Sequence, residues 1–281
     1  MSDPASLGVL RDLAVLVSIA ITFGLVGYRL LRHFRPQAAW NHEGQVLSSP
    51  YDMPDLLALL GMGLFFMAAA LLTQPGASAT VPKLSETGIS GLVSAMVFNL
   101  LVCLALLAYL HRLRGLNPAE LFGLQQLDGR TLLRTVVFFA VIEVIGVNAF
   151  SALLESWMRG FWSAEGPQEA VQLFQGTGGV GMKVVFIFSV VILAPLVEET
   201  VFRGFVYGVL KRYTDAPFAA LTSSLMFAII HMHVGSLLPL WLLALLLCAA
   251  YEITGCLLAP ILLHMIFNGV SIALMMIFGQ A

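Results

Sequence analysis

The chain has 281 residues, 59% of them hydrophobic and only 11% charged, with a mean hydropathy of +0.92. A soluble domain carries about 25% charged residues, so this composition is that of an integral membrane protein, with the lipid bilayer as its first partner. A formal net charge of −2 leaves no basic surplus to neutralise phosphates, which excludes nucleic acid as a partner.

Apolar runs long enough to cross about 30 Å of hydrocarbon predict an all-α, polytopic membrane helical bundle. In chain order they cover about 10–31, 54–73, 90–110, 132–154, 183–206, 217–235, 237–255 and 257–278, which makes eight transmembrane helices. The apolar stretch 13–28 is followed by Arg29, Arg32 and Arg35 rather than a small-residue cleavage site, so it reads as a retained helix. A division is expected between N-terminal membrane helices with their loops (1–131) and a catalytic membrane domain (132–281). Gly255 and Cys256, ahead of Pro260, mark a tight hairpin between the last two helices. Cys103, Cys248 and Cys256 lie in apolar runs without CxxC or CxxH spacing, so neither a disulfide framework nor a thiolate metal site is expected.

The distribution of Lys and Arg predicts orientation. The loops after the first, third and fifth helices hold Arg29, Arg32, Arg35, Arg112, Arg114, Arg130, Arg134, Lys211 and Arg212, against Arg11, Lys83, Arg159 and Lys183 on the other side. Nine against four assigns the first set to the cytoplasm and both termini to the outside. The acidic loop 155–182 contains a candidate surface helix near 167–174, and 115–131 is its cytoplasmic counterpart. The lean loops and the absence of a targeting extension point to a prokaryotic inner membrane.

Charge inside an apolar span needs a reason, because an acidic residue at the centre of a membrane helix costs about 2.5–3.5 kcal/mol. Glu198 and Glu199 stand side by side in the fifth span, with Arg203 four residues beyond Glu199 and therefore on its face. Glu198 is turned about 100° away, so Arg203 serves it less well and it is left as the less neutralised carboxylate. That is the condition a general base needs. Pro195 removes a backbone hydrogen bond just before the pair and should loosen the helix there. The next span contributes His231, and the last contributes His264 and Asn268, which share a helix face. Counted from their cytoplasmic ends, Glu198 and His231 lie about 20 Å deep and His264 about 10–15 Å deep, so three helices can build one polar pocket. His233 is given no role, and Glu143 and Glu252 are further intramembrane acids with no specific assignment.

Glu198-Glu199-x-x-x-Arg203, Phe227-x-x-x-His231 and His264-x-x-x-Asn268, in this order on late helices, resemble the motif set of the CPBP family. That family comprises the type II CAAX prenyl endopeptidases and the bacteriocin-processing and immunity relatives. The motif-bearing part spans about 195–270, so a CAAX-prenyl-endopeptidase-like core is expected in the C-terminal half; Leu121-Phe-Gly-Leu also has a familiar look. The resemblance implies an intramembrane peptidase acting on membrane-associated or lipidated peptides or on membrane proteins. In it Glu198 activates a water held also by His231, while His264 and Asn268 stabilise the oxyanion and Glu199 and Arg203 support the site. Gly235 departs from the pattern, since prenyl endopeptidases often carry Asn there. No cofactor is expected. The competing readings are a zinc hydrolase with Glu198, His231 and His264 as ligands, a non-catalytic scaffold or immunity protein, and a transporter.

Overall fold

Apolar helices dominate the computed structural model, which describes residues 4–35, 44–72, 84–125, 128–158, 179–231 and 233–278. We number them α1 (Pro4–Phe34), α2 (Met53–Leu72), α3 (Leu84–Ala108, extended by a π-helical turn Tyr109–Leu113) and α4 (Pro118–Leu121). The next helix, α5, runs through Gly129–Val141, a π-helical stretch Ile142–Val147 and Asn148–Met158. Then follow α6 (Val180–Tyr213), α7 (Ala216–Ile230), α8 (Val234–Thr254) and α9 (Leu258–Phe278). No strand occurs among the described residues.

Among the described residues six helices are long and apolar enough to cross a membrane: α1, α3, α5, α6, α8 and α9. Met53–Leu64 within α2 and Ala216–Ile230 are shorter apolar helices. The outward faces carry exposed Phe23, Leu101, Phe138, Ile145, Leu153 and Val184. Apolar exposure on this scale has a favourable solvent only in lipid, so the chain is an integral membrane protein.

Helix ends follow local chemistry. The Asp215 carboxylate accepts from Phe218 N–H to start α7, and Asp128 accepts from the backbone N–H groups of Arg130 and Thr131 to start α5. The Thr131 hydroxyl, then the Arg130 N–H, hold the Asp128 carboxyl below its ordinary range. Gly255, at φ 63°, closes α8 in a left-handed conformation and so makes the tight turn into α9. The expected span 217–235 is corrected: α7 ends at Ile230, His231 is its C-terminal cap, and His233 caps the start of α8 by accepting from Ser236 N–H. The apolar text continues across this break, and hydropathy does not register a cap made by an imidazole. The candidate surface helix near 167–174 lies outside the described residues.

The arginine-rich helix ends assemble at one end of the bundle. Arg32 donates to the carbonyls of Arg212 (3.2 Å) and Thr214 (2.7 Å), and the Tyr28 hydroxyl donates to Asp215 (2.8 Å). Arg114 donates to Asp55 (2.9 Å), while Leu257 N–H reaches the Phe122 carbonyl (3.0 Å). Lys211, fully buried, pairs with Glu252 at 2.6 Å. The centre of this packing is α6. Gly204 leaves room for the Phe122 ring, which a Cβ there would meet at 2.9 Å, and Gly208 faces the Tyr51 ring. The Tyr51 hydroxyl also donates to the Gly204 carbonyl. Helix α6 is thereby pinned near its basic end, below the acidic pair.

Candidate active site

Glu198 and Glu199 end a short α-helical stretch, Ala194–Glu199, between two π-helical ones, Ser189–Leu193 and Thr200–Tyr207. The proline explains part of this, because Pro195 has no N–H for the regular ladder and the backbone just before it is wound wider. A further π-helical turn, Ile142–Val147, carries Glu143 on α5. Wide turns of this kind commonly mark functional positions in helices.

Glu199 is sealed and Glu198 is not. The Glu199 side chain is fully buried, whereas that of Glu198 is 26% exposed. Arg203, also buried, donates to Glu199 Oε1 at 2.8 Å and to the Ala244 carbonyl at 3.0 Å, and its guanidinium lies 4.6 Å from the centre of the Phe227 ring. A desolvated cation over an aromatic face is worth about 2 kcal/mol, and together with the ion pair and the Ala244 carbonyl it offsets part of what removal from water costs.

His264 comes to the same oxygen from α9. Its Nδ1 lies 2.9 Å from Glu199 Oε1, and a carboxylate only accepts, so Nδ1 carries the hydrogen. This fixes the ring and aims Nε2 at Glu198, whose Oε2 is 3.9 Å away. The gap is too long for a hydrogen bond, and it suits two groups that contact one oxygen between them.

His231 reaches the site by a different route. Its Nδ1 lies 2.8 Å from the Phe227 carbonyl and therefore donates, leaving Nε2 as an acceptor. Phe227 is the shared wall: its ring centre is 4.8 Å from that of His231 and 5.7 Å from that of His264. Asn268, one turn beyond His264, donates Nδ2 to the Val190 carbonyl at 3.0 Å, in the π-helical turn ahead of the glutamates. One of its two amide hydrogens is thus bound to α6. Among the described residues no three His, Cys, Asp or Glu side chains converge to hold a metal ion.

The structure therefore joins Glu199 to Arg203 and His264, sets His264 Nε2 3.9 Å from Glu198, and ties His231 and Asn268 to their neighbours through Phe227 and Val190. Sequence reasoning attached too little to two features. Phe227 is both the ring beneath Arg203 and the spacer between the histidines, a role hinted at only by its place four residues before His231. Glu143, left without an assignment, is fully buried, and Glu199 and Arg203 are charges that act on it. Glu252 belongs elsewhere, since it binds Lys211 and Tyr207 at the basic end.

Residues 180–270 match the Rce1-like type II CAAX prenyl endopeptidase family. The match runs from the start of α6 into α9 and includes Glu198, Glu199, Arg203, His231, His264 and Asn268, so the C-terminal half carries an Rce1-like domain and the chain is similar to membrane proteases over that part. Glu143 falls outside the Rce1-like segment. No curated protein and no solved structure matches the chain.

Proposed function

We propose that the chain is an intramembrane endopeptidase in which Glu198 activates the attacking water. The supporting observation is the 3.9 Å gap between Glu198 Oε2 and His264 Nε2, faced by an accessible carboxylate and backed by a sealed Glu199–Arg203 pair. Water donates one proton to Glu198, and its oxygen adds to the scissile carbonyl carbon. The His231 Nε2 lone pair holds the second water hydrogen. Charge developing on the carbonyl oxygen is met by His264, which donates from Nε2 when doubly protonated, and by the second amide hydrogen of Asn268. Glu198 then returns its proton to the amide nitrogen as the carbon–nitrogen bond breaks, leaving a carboxyl and an amine. Membrane-associated or lipidated peptides and membrane proteins are the substrate class, and the arginine-rich end is cytoplasmic, in a prokaryotic inner membrane.

The reaction is proposed without a metal. A second reading keeps Glu198, His231 and His264 as zinc ligands: both histidines have Nδ1 engaged, as metal-bound histidines do, although no three such side chains converge among the described residues. Metal analysis with chelation and add-back separates the two, since stoichiometric zinc lost together with activity would overturn the metal-free route. The central test is Glu198→Gln. Removing a general base lowers the rate by about 10²–10⁴-fold. Peptidomics of cells carrying wild type or Glu198→Gln should show a membrane-associated peptide missing from the variant, which should still insert normally. A variant with full biological activity would leave a non-catalytic scaffold as the better account.

A further inference from the structure

Among the described residues, three buried carboxylate oxygens lack a hydrogen-bond partner: both of Glu143 and Oε2 of Glu199. Glu199 Oε1 is fully engaged by Arg203 and His264, so the hydrogen-bonding capacity left on Glu199 is all at Oε2. Glu143 is fully buried, at the π-helical turn of α5, a helix that packs on α8 and α9. The charged groups acting on it are Glu199 and Arg203 of α6. Among the groups acting on Glu143, Arg203 is the one permanent cation, and it faces two buried carboxyls. Arg203 is committed to Glu199 and to the Ala244 carbonyl, and it cannot neutralise both. An ionised carboxylate without a partner is not tolerated in a dry interior, so one carboxyl holds its proton. Glu199, with two donors on Oε1, is the ionised member, which leaves the proton on Glu143. A protonated carboxyl is a donor, and the acceptor lacking one is Glu199 Oε2.

We propose that Glu143 is a positioning residue: a neutral carboxylic acid that donates, directly or through one buried water, to Glu199 Oε2 and so fixes the carboxylate that orients His264. It touches no substrate and acts through Glu199, which holds the imidazole whose Nε2 faces Glu198. The pairing of two carboxyls around one proton also makes Glu143 a point where alkaline pH can undo the site. Ionised Glu143 would repel Glu199 and loosen its hold on His264.

The proposal deepens the peptidase reading, and its kinetic arm rests on it, so the first measurement avoids turnover. Infrared difference spectra of purified protein at neutral pH, wild type minus Glu143→Gln, should contain a protonated carboxylic-acid carbonyl band that shifts in deuterium oxide. Loss of that band from the difference spectrum would mean that Glu143 is ionised and would overturn the proposal. In turnover, Glu143→Leu removes the donor at similar size and should lower kcat by about tenfold or more with KM unchanged. Glu143→Gln keeps an N–H donor and should stay within about threefold of wild type, with the alkaline limb of its pH profile moved up. If Glu143→Gln is as slow as Glu143→Leu, or if the two differ only in thermal stability, a positioning role is lost. A wild type that shows the band and cleaves nothing would support the carboxyl pair while sinking the peptidase reading.

Discussion

Two adjacent glutamates in one helix have opposite surroundings, and each predicts a different failure. Glu199 and Arg203 are both buried and bind each other, so Glu199→Ala would strand a guanidinium in the bundle. Breaking a buried pair in this way costs about 3–5 kcal/mol. Thermal unfolding in detergent should show a large loss of stability, and His264 should lose its fixed ring orientation at the same time. Glu198 has a partly exposed side chain and, among the described residues, no cation bound to it at hydrogen-bond distance, so its replacement should spare the fold and remove the chemistry. The i, i+4 spacing from Glu199 to Arg203 made this division readable from sequence. The sharing of Glu199 Oε1 between Arg203 and His264 was not readable, because nothing along the chain says how α9 is rotated against α6. The same blindness covers Glu143, whose position 55 residues before Glu198 carries no sign that α5 buries it where the charges of Glu199 and Arg203 act on it.

At the scale of elements, the all-α membrane bundle was legible, because runs of apolar residues near 20 long have one stable form in lipid; of the eight spans expected, six are long and apolar enough to cross among the described residues. The boundaries that hydropathy missed are those set by individual side chains. His231 ends α7 and His233 starts α8, inside a run that reads as a continuous span. The wide turns of α6 are legible only at Pro195; Thr200–Tyr207 contains no helix breaker except Gly204, which is there for packing. Gly204 predicts its own test. A side chain at this position would press on the Phe122 ring, which is itself buried beneath α6. Gly204→Val should therefore destabilise by about 1–3 kcal/mol, the usual cost of overpacking. Phe122→Ala should recover part of that loss in the double variant, which a thermal double-mutant cycle would read as a coupling between α6 and the Leu121-Phe122 turn.

Among the described residues, charged side chains bind one another at the site and at the arginine-rich end, where a buried cation again decides the energetics. Lys211 is fully buried and has two partners, Glu252 Oε1 at 2.6 Å and the Val46 carbonyl at 3.2 Å. Glu252 is better supplied. Besides Lys211 it accepts from the Tyr207 hydroxyl at 2.5 Å and from Val46 N–H at 3.3 Å, and its side chain is 19% exposed. The two halves of this pair are therefore unequal. Lys211→Met leaves a carboxylate that keeps two donors and some contact with solvent, so its stability loss should be modest. Glu252→Leu leaves an ammonium in a closed interior with a single carbonyl, close to the cost of an uncompensated buried charge, about 3–5 kcal/mol. Melting temperatures should rank wild type above Lys211→Met and Lys211→Met above Glu252→Leu. A reversed order would mean that the carboxylate, and not the lysine, depends on the pair. Because this contact ties α6 to α8 and to the 44–51 segment, the same ranking should appear in how firmly α6 is held. Hydrogen exchange of the Thr200–Tyr207 backbone should quicken most in Glu252→Leu, since the wide turn has its anchor on the basic side through Tyr207, Gly208 and Lys211.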